Sequence, residues 1–256
     1  MRCDLRPGRW QTALADVGEV DLLCSDPPFS ARTHDGHSAT VGGHRGAGHD
    51  LAPRKAISYP HWTAEDVIAF VAHWAPRTHG WFIAITSHDL AAVWETALTA
   101  AGRLVFAPLP LVEIGSRVRL SGDGPSSWTC WVIVGRPRGE PWSTWGTLPG
   151  AYICTREAKP HIGGKPVSLM RAIVRDYSRP GDLVCDPCAG GGTTAIAALQ
   201  EGRRFVGAEC DLATHHKAIV RLSQTNLAPP LLQEPRAVQA SMFPAAGAPD
   251  HEDVTP

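Results

Sequence analysis

Hydrophobic positions in the first half of the chain alternate between helical spacing and short continuous apolar runs, which is the pattern of an α/β fold. Thr63, followed by Asp66 at the third position, is expected to cap a helix that ends before Pro76. The other predicted elements are helices over 8–17 and from Ser87 or Asp89 to about 101, and strands over 20–24, 81–86, 104–106 and 129–134.

The second half contains one unit in which a strand, a glycine loop, a helix and a second strand follow each other. Pro166 suits the first turn of a helix with one apolar face, and the turn at 179–181 ends that helix. A strand over 183–186, glycines at 190–192, a helix over 193–200 and a strand over 204–209 then form a predicted βαβ unit. Asp211 can cap a last helix to about residue 224.

Three stretches lack this periodicity. Residues 30–60 are rich in Gly, His, Arg and Ser and are predicted to form a long loop that is functional or mobile. Residues 135–164 are rich in Pro, Gly and Trp and receive no assignment. Residues 227–256 are predicted to be a disordered tail, which leaves one domain over 1–226.

Composition limits the possible partners and compartment. The 24 basic residues are balanced by 25 acidic ones, so a nucleic-acid surface would have to be local. Seven cysteines form an odd set without short repeated spacing, which indicates reduced thiols and a cytoplasmic protein. Because no segment approaches the roughly 18 apolar residues of a membrane span, we expect a soluble protein that is neither secreted nor membrane-bound.

The glycines at 190–192 follow a buried strand that ends at Asp186, so a ligand could approach the backbone there. Glu209 lies 23 residues after Asp186, where an acidic side chain in such folds binds the hydroxyls of an adenosine ribose. The loop lacks the lysine of a triphosphate site, and its spacing is not that of a dinucleotide site. S-adenosylmethionine, with a ribose and a sulfonium but no phosphate, suits this acidic loop better; the alternative is a tight turn without a ligand.

A second motif, Asp26-Pro27-Pro28-Phe29, directly follows the strand over 20–24. An exocyclic amino nitrogen of adenine or cytosine is a poor nucleophile because its lone pair is delocalised into the ring. The Asp26 carboxylate and the Pro27 carbonyl could accept both amino hydrogens and make the nitrogen more tetrahedral. Phe29 could stack on a base removed from its duplex. The alternative is a rigid loop with Phe29 in the core.

These motifs resemble the amino-methylating DNA methyltransferases of the β group, in which the catalytic motif precedes the cofactor motif. Residues 26–29 are similar to the family's DPP[YF], 186–194 to its DPFAGSGTT, 161–166 to its HxxxKP and 203–209 to its RRFxGxE. Two departures are Cys188 in place of an aromatic residue and Gly191 in place of a serine. A further one is the absence of a long domain that could read a DNA sequence.

The resemblance implies a Rossmann-like, S-adenosylmethionine-dependent methyltransferase fold of seven strands with a circularly permuted motif order. The two motif loops are expected side by side at the carboxyl ends of neighbouring strands, and a homodimer is possible. The catalytic residues would be Asp26, Pro27, Pro28 and Phe29. The implied cofactor-binding residues are Lys165, Pro166, Asp186, Pro187, Cys188, Ala189, Gly190, Gly192, Thr193, Thr194 and Glu209.

The expected activity is methylation of DNA at adenine N6, since relatives with DPP more often modify adenine and those with SPP cytosine. Methylation of cytosine N4, of RNA or of a protein amide, and a non-catalytic nucleic-acid-binding module, remain alternatives. Cytosine-C5 methylation through Cys188 is disfavoured because this residue lies inside the cofactor motif. A stand-alone enzyme of a restriction–modification system, in a bacterial or phage-infected cell, is consistent with the chain.

Candidate DNA contacts fall in the two unassigned stretches, 30–60 and 135–164. The basic residues Arg32, Arg45, Arg54 and Lys55 could bind phosphates, with ordinary solvation as the alternative. Trp142 and Trp145 could stack on bases, whereas Trp131 is expected in the core. His34 and neighbouring His and Asp residues match no established metal-ligand spacing, so no metal is expected.

Overall fold

The computed structural model describes residues 2–38, 59–114, 129–139, 145–155 and 164–227. The strands within these ranges are β1 (Cys3–Pro7), β2 (Val20–Ser25), β3 (Thr78–Thr86), β4 (Arg103–Val105), β5 (Leu109–Ile114), β6 (Thr129–Pro137), β7 (Tyr152–Thr155), β8 (Leu183–Asp186) and β9 (Arg204–Glu209). The helices are α1 (Trp10–Ala13), α2 (Ala31–Ser38), α3 (Ala64–Trp74), α4 (His88–Ala100), α5 (Val167–Tyr177), α6 (Thr193–Gln200) and α7 (Leu212–Gln224).

One sheet runs through the described part of the chain in the order β1-β9-β8-β2-β3-β6-β5-β7, with β4 also paired to β6. The neighbours from β1 to β3 are all parallel, and β6 is antiparallel to both β3 and β5. Because β2 and β8 are parallel neighbours, their carboxyl ends lie at the same edge of the sheet. The predicted α/β fold is confirmed, with nine strands in the described ranges where seven were expected; the permuted origin of the motif order stays a prediction.

Two apolar cores cover the faces of the sheet. One contains the buried side chains of α5 and α6, and the other contains those of α3 and α4. Helix α3 is the clearest case of a helix set by its sequence. Thr63 and Asp66 exchange reciprocal hydrogen bonds, with Asp66 Oδ2 accepting from the Thr63 N–H at 2.9 Å. Its buried residues, Val67, Phe70, Val71 and Trp74, have the spacing of one helical face.

Several elements differ from the prediction. Strands β1, β5 and β7 were not expected, and α2 occupies part of the stretch predicted as loop. Helix α1 has only four residues, and Pro166 precedes α5 instead of entering its first turn. Trp131, expected in the core, is half-buried. Within the described ranges, no helix has both the length and the apolar character needed to cross a bilayer.

Gly207→Ala is expected to destabilise the fold by about 2 kcal/mol, because overpacking a filled site forces backbone shifts. A Cβ at Gly207 would lie 2.6 Å from the carbonyl oxygen of Asp186 on the neighbouring strand. Urea unfolding gives the measurement. Gly18→Ala is the matched control, since a Cβ there meets nothing within 4 Å. Equal midpoints for the two variants would contradict the close approach of β8 and β9.

Candidate active site

The carboxyl edge shared by β2 and β8 carries both sequence motifs. Asp26 opens the DPPF segment (residues 26–29) directly after β2, and Asp186 ends β8 before the glycine loop (residues 187–192). The strands are held in register by the pairs Leu22↔Val184 and Leu23↔Cys185. The sheet therefore brings together two segments that are far apart in the chain.

Asp26 forms an ion pair with Lys165, which lies just before α5. The Lys165 Nζ donates to Asp26 Oδ2 at 2.6 Å, and the two side chains are 9% and 22% exposed. Burial lowers the pKa of Lys165, but the Asp26 carboxylate more than offsets this and leaves the pKa above its usual value. The same ammonium lies 5.1 Å from the centre of the Phe29 ring. Lys165 therefore holds both ends of the DPPF segment.

The second oxygen of Asp26 has a different environment. Oδ1 is buried, and no residue in the described part of the chain donates a hydrogen bond to it. A buried acceptor without a donor carries a desolvation penalty that a donor supplied from outside would recover. The carboxylate thus has one oxygen held by the protein and one available to a ligand.

Asp186 is buried at the base of the glycine loop. Its Oδ1 accepts hydrogen bonds from Ser25 Oγ at 2.7 Å and from the Cys188 N–H at 3.1 Å. Burial raises its pKa to about 6, although hydrogen bonds from Thr194, Ser25 and Cys188 act in the opposite direction. The side chain is therefore an ionised, hydrogen-bonded anchor for the loop at neutral pH.

The glycine loop turns sharply into α6. Gly192 caps this helix with a φ of 75°, in the left-handed region that favours glycine. Glu209, at the end of β9, supports the loop from the other side: its Oε2 accepts from the Gly190 N–H at 2.9 Å and its Oε1 from the Asp211 N–H at 2.8 Å. Asp186 and Glu209 thus present two carboxylates to the same short loop.

Helix α7 supplies a further support that was not predicted from the sequence. The Arg221 guanidinium donates to the Gly191 carbonyl at 2.8 Å and to Thr193 Oγ1 at 2.9 Å. A single arginine in an amphipathic helix gives no sequence signal, because its partners are set by the packing of α7 on the sheet. The loop is therefore fixed from β8, β9 and α7 together.

Comparison with known proteins gives a match in the second part of the chain. The family model of N6 and N4 methyltransferases, described as DNA methylase, matches residues 87–220, more than half of the chain. The chain belongs to this DNA methylase family. The matched region contains Lys165, the glycine loop and Glu209, whereas the DPPF segment precedes it.

Individual relatives of the chain match over short stretches. The DNA adenine methyltransferase YhdJ of Escherichia coli (strain K12) is 33% identical over 90 residues, which are 30% of this chain and 30% of that protein. In six curated relatives, the stretch matched by this chain covers between 19% and 30% of the relative's length.

Solved structures match over most of the fold. The M1.HpyAVI–SAM complex has a TM-score of 0.63 at 16% identity, covering 86% of this chain and 99% of that one. The PvuII DNA methyltransferase, titled cytosine-N4-specific, has a TM-score of 0.61 at 12% identity, covering 89% of each chain. At these identities the likeness shows that the chain shares their fold.

Most residues predicted for the site lie at one edge of the sheet. The DPPF segment contacts Lys165, whose neighbour Pro166 precedes α5, and the glycine loop continues into Thr193 and Thr194 at the start of α6. Their roles in binding and catalysis stay predictions. Two residues missed from the sequence, Ser25 and Arg221, bond to the glycine loop or to its anchor.

The candidate DNA contacts have different outcomes. Arg32 is exposed on α2, directly after the DPPF segment. Trp145 packs on Trp81, with ring centres 5.7 Å apart, and its ring lies 3.7 Å from the Arg179 guanidinium. Both neighbours lie toward the amino ends of β3 and β8, so the structure does not bring Trp145 to the edge that carries Asp26. Outside the described residues lie Arg45, Arg54, Lys55 and Trp142, together with all of the expected tail except Leu227, which packs against the core.

An aromatic group after the DPPF segment was also missed. The His34 ring lies 5.4 Å from the Tyr59 ring and 6.0 Å from the His61 ring, in edge-on contacts. Burial raises the pKa of Tyr59, and the charge of Asp26 adds to the effect. The chain is tied back here, since the Trp62 N–H donates to the Phe29 carbonyl at 3.0 Å. His34, considered as a metal-ligand candidate, is thus part of an aromatic contact beside the motif.

Proposed function

We propose that this chain transfers a methyl group from S-adenosylmethionine to the exocyclic amino group of a base in DNA, with adenine N6 the preferred target. The observation that carries the proposal is the Asp26 carboxylate, held by Lys165 through Oδ2 and left with a buried, unpartnered Oδ1 in the described structure. An amino group is the donor that this oxygen lacks. Membership of the DNA methylase family supports the same activity.

The DPPF segment would activate the amino group by binding its two hydrogens. Asp26 Oδ1 would accept one hydrogen and the Pro27 carbonyl the other, which draws the nitrogen lone pair out of conjugation with the ring. Lys165 donates to Oδ2 of this carboxylate and so fixes its orientation. The half-buried ring of Phe29 is available as a stacking surface for the extruded base. Asp26 is also the nearest base to receive the proton that the nitrogen loses on methylation.

The residues of the glycine loop fit S-adenosylmethionine, which when bound supplies an electrophilic methyl group on a sulfonium. Gly190 has no side chain to obstruct a close ligand, whereas a Cβ at Gly192 would lie 3.3 Å from Ala218 of α7, so Gly192 serves the helix packing. The Glu209 oxygens each accept one backbone N–H, and a carboxylate oxygen can accept a second hydrogen bond from a ribose hydroxyl. The two carboxylates, Asp186 and Glu209, favour a cationic ligand over a phosphate.

Two observations bear on the choice of base. The relative named DNA adenine methyltransferase and the aspartate at position 26 support adenine N6. The structural neighbour titled cytosine-N4-specific keeps cytosine N4 as the second candidate, because both bases present the same amino geometry to the DPPF segment. A homodimer also stays a prediction, which light scattering of the purified protein would test.

Glu209→Ala is expected to weaken S-adenosylmethionine binding by about 1 to 3 kcal/mol, the range for hydrogen bonds lost to a buried polar partner. Calorimetric titration of the variant gives the dissociation constant. Glu19→Ala is the matched control, because its side chain is 68% exposed and pairs with His79 away from the loop. An affinity equal to that of the control would refute the ribose assignment.

The proposed activity is tested by incubating the protein with methyl-labelled S-adenosylmethionine and mixed-sequence DNA from a methylation-deficient strain. Digestion to nucleosides and mass spectrometry then identify the labelled base. N6-methyladenine is the expected product. N4-methylcytosine would keep the mechanism and change the base, whereas unlabelled DNA together with measurable cofactor binding would overturn the DNA assignment and direct the search to RNA or protein amides.

A further inference from the structure

A buried hydroxyl group joins the two loops of the proposed active site. Ser25 is the last residue of β2, directly before Asp26, and is 0% exposed. Its Oγ donates to Asp186 Oδ1 across 161 residues of sequence. The same carboxylate oxygen accepts the Cys188 N–H, so one atom connects the end of β2 to the glycine loop.

The backbone pairing of the two strands ends before this bond. The paired residues of β2 and β8 are Leu22↔Val184 and Leu23↔Cys185, and the strands carry on for two and one residues beyond them. Beyond these backbone pairs, the hydrogen bond from the Ser25 hydroxyl to Asp186 joins the ends of the two strands. A displacement of Asp186 is therefore passed to the residue that precedes Asp26.

The charge state of Asp186 makes this a strong bond at neutral pH. Its pKa of about 6 leaves the side chain ionised, and a hydroxyl that donates to a carboxylate forms a charge-assisted hydrogen bond. The charged group that acts on it from the start of the DPPF segment is Asp26, which raises the pKa of Asp186. The surrounding thiols of Cys24, Cys185 and Cys188 stay neutral because burial raises their pKa values well above the usual one.

We propose that Ser25 is a positioning residue that couples the glycine loop to the DPPF segment, so that S-adenosylmethionine and the target DNA bind cooperatively. The proposal rests on the proposed function. Ligand held by the glycine loop orders Asp186, the Ser25 hydroxyl follows, and Asp26 is brought into its binding orientation. By linkage, DNA bound at the DPPF segment strengthens cofactor binding by the same factor.

The test compares the affinity for sinefungin, an analogue with an amine in place of the sulfonium and no methyl group to transfer, with and without saturating unmethylated DNA. For the unchanged protein we expect DNA to tighten sinefungin binding by at least about fivefold, the lower range of typical coupling. Ser25→Ala is expected to bring this ratio close to one. Ser25→Thr keeps the hydroxyl and is expected to restore it, which a merely structural role would not require.

Thr194→Val is the matched control. Thr194 also donates to Asp186, but it lies at the start of α6 and not on β2, the strand that leads into the DPPF segment. This variant is expected to weaken sinefungin binding while keeping the DNA-dependent ratio. Loss of the ratio in Thr194→Val to the same extent as in Ser25→Ala would overturn the proposal.

If Ser25→Ala folds poorly, sinefungin affinity measured as a function of pH in Ser25→Cys and Thr194→Val provides a second test. Each of the two hydrogen bonds lowers the pKa of Asp186, so Ser25→Cys and Thr194→Val are both expected to raise the pH below which sinefungin affinity falls. Only Ser25→Cys is expected to lose coupling. If DNA does not change the sinefungin affinity of the wild-type protein, the coupling is overturned and the proposed function is not. If the wild-type protein neither binds sinefungin nor transfers a methyl group, the proposed function itself is overturned.

Discussion

Asp26→Ala is expected to lower methyl transfer by at least about 100-fold, the loss seen when one preorganised polar group is removed from a reacting centre. Cofactor affinity should change little, because Asp26 contacts Lys165 and not the glycine loop in the described structure. The measurement pairs labelled-methyl incorporation into DNA with calorimetric titration of S-adenosylmethionine. The expected signature is therefore a loss of rate without a loss of binding.

Asp16→Ala is the control for this variant. Asp16 also pairs with a basic residue, Arg6, but its side chain is 70% exposed and lies before β2, away from the carboxyl edge. We expect it to retain full activity. An Asp26→Ala protein that methylates as fast as this control would refute the proposed role of the carboxylate.

Lys165→Met is expected to destabilise the fold by about 3 kcal/mol and to reduce methyl transfer strongly. The substitution leaves the partly buried Asp26 carboxylate without its counter-charge, and breaking such a pair by removing one partner is costly. Urea unfolding and the methylation assay give the two measurements. Lys217→Met, at an exposed position on α7, is the control for loss of a positive charge.

A double variant separates the charge effect from packing. Adding Asp26→Asn to Lys165→Met removes the unpaired charge, so the double variant is expected to regain part of the lost stability while staying inactive. If the stability lost in the double variant equals the sum of the losses in Lys165→Met and Asp26→Asn, the interaction between the two side chains contributes nothing to stability.

The sequence predicted the centre of the fold better than its margins. Strand β8, helix α6 and strand β9 have the bounds expected from their apolar runs and the intervening glycines. Strands β5 and β7 were missed because the outer part of a sheet needs less apolar surface. In β7 Ile153 is 69% exposed, and in β5 a buried Glu113 interrupts the apolar alternation.

The same limit applies to the site. Asp26 and Asp186 could be expected to meet, since each follows a buried strand and parallel neighbours share an edge. The contacts of the Ser25 hydroxyl and the Arg221 guanidinium could not be predicted, because their partners lie far away in sequence and depend on how the elements pack. Trp145, a tryptophan among prolines and arginines, was considered for DNA stacking; the structure packs it on Trp81, and its role toward DNA stays a prediction.

The pairing of β2 with β8 also governs when the site can exist during folding. The residues that it joins, Leu22 with Val184 and Leu23 with Cys185, come from the beginning and from the last third of the chain. Closing so long a loop is slow in comparison with forming the local βαβ unit of β8, α6 and β9. The glycine loop can therefore form early, whereas Asp26 reaches it only after the first strands have docked, so an incompletely folded chain has no assembled pair of motifs.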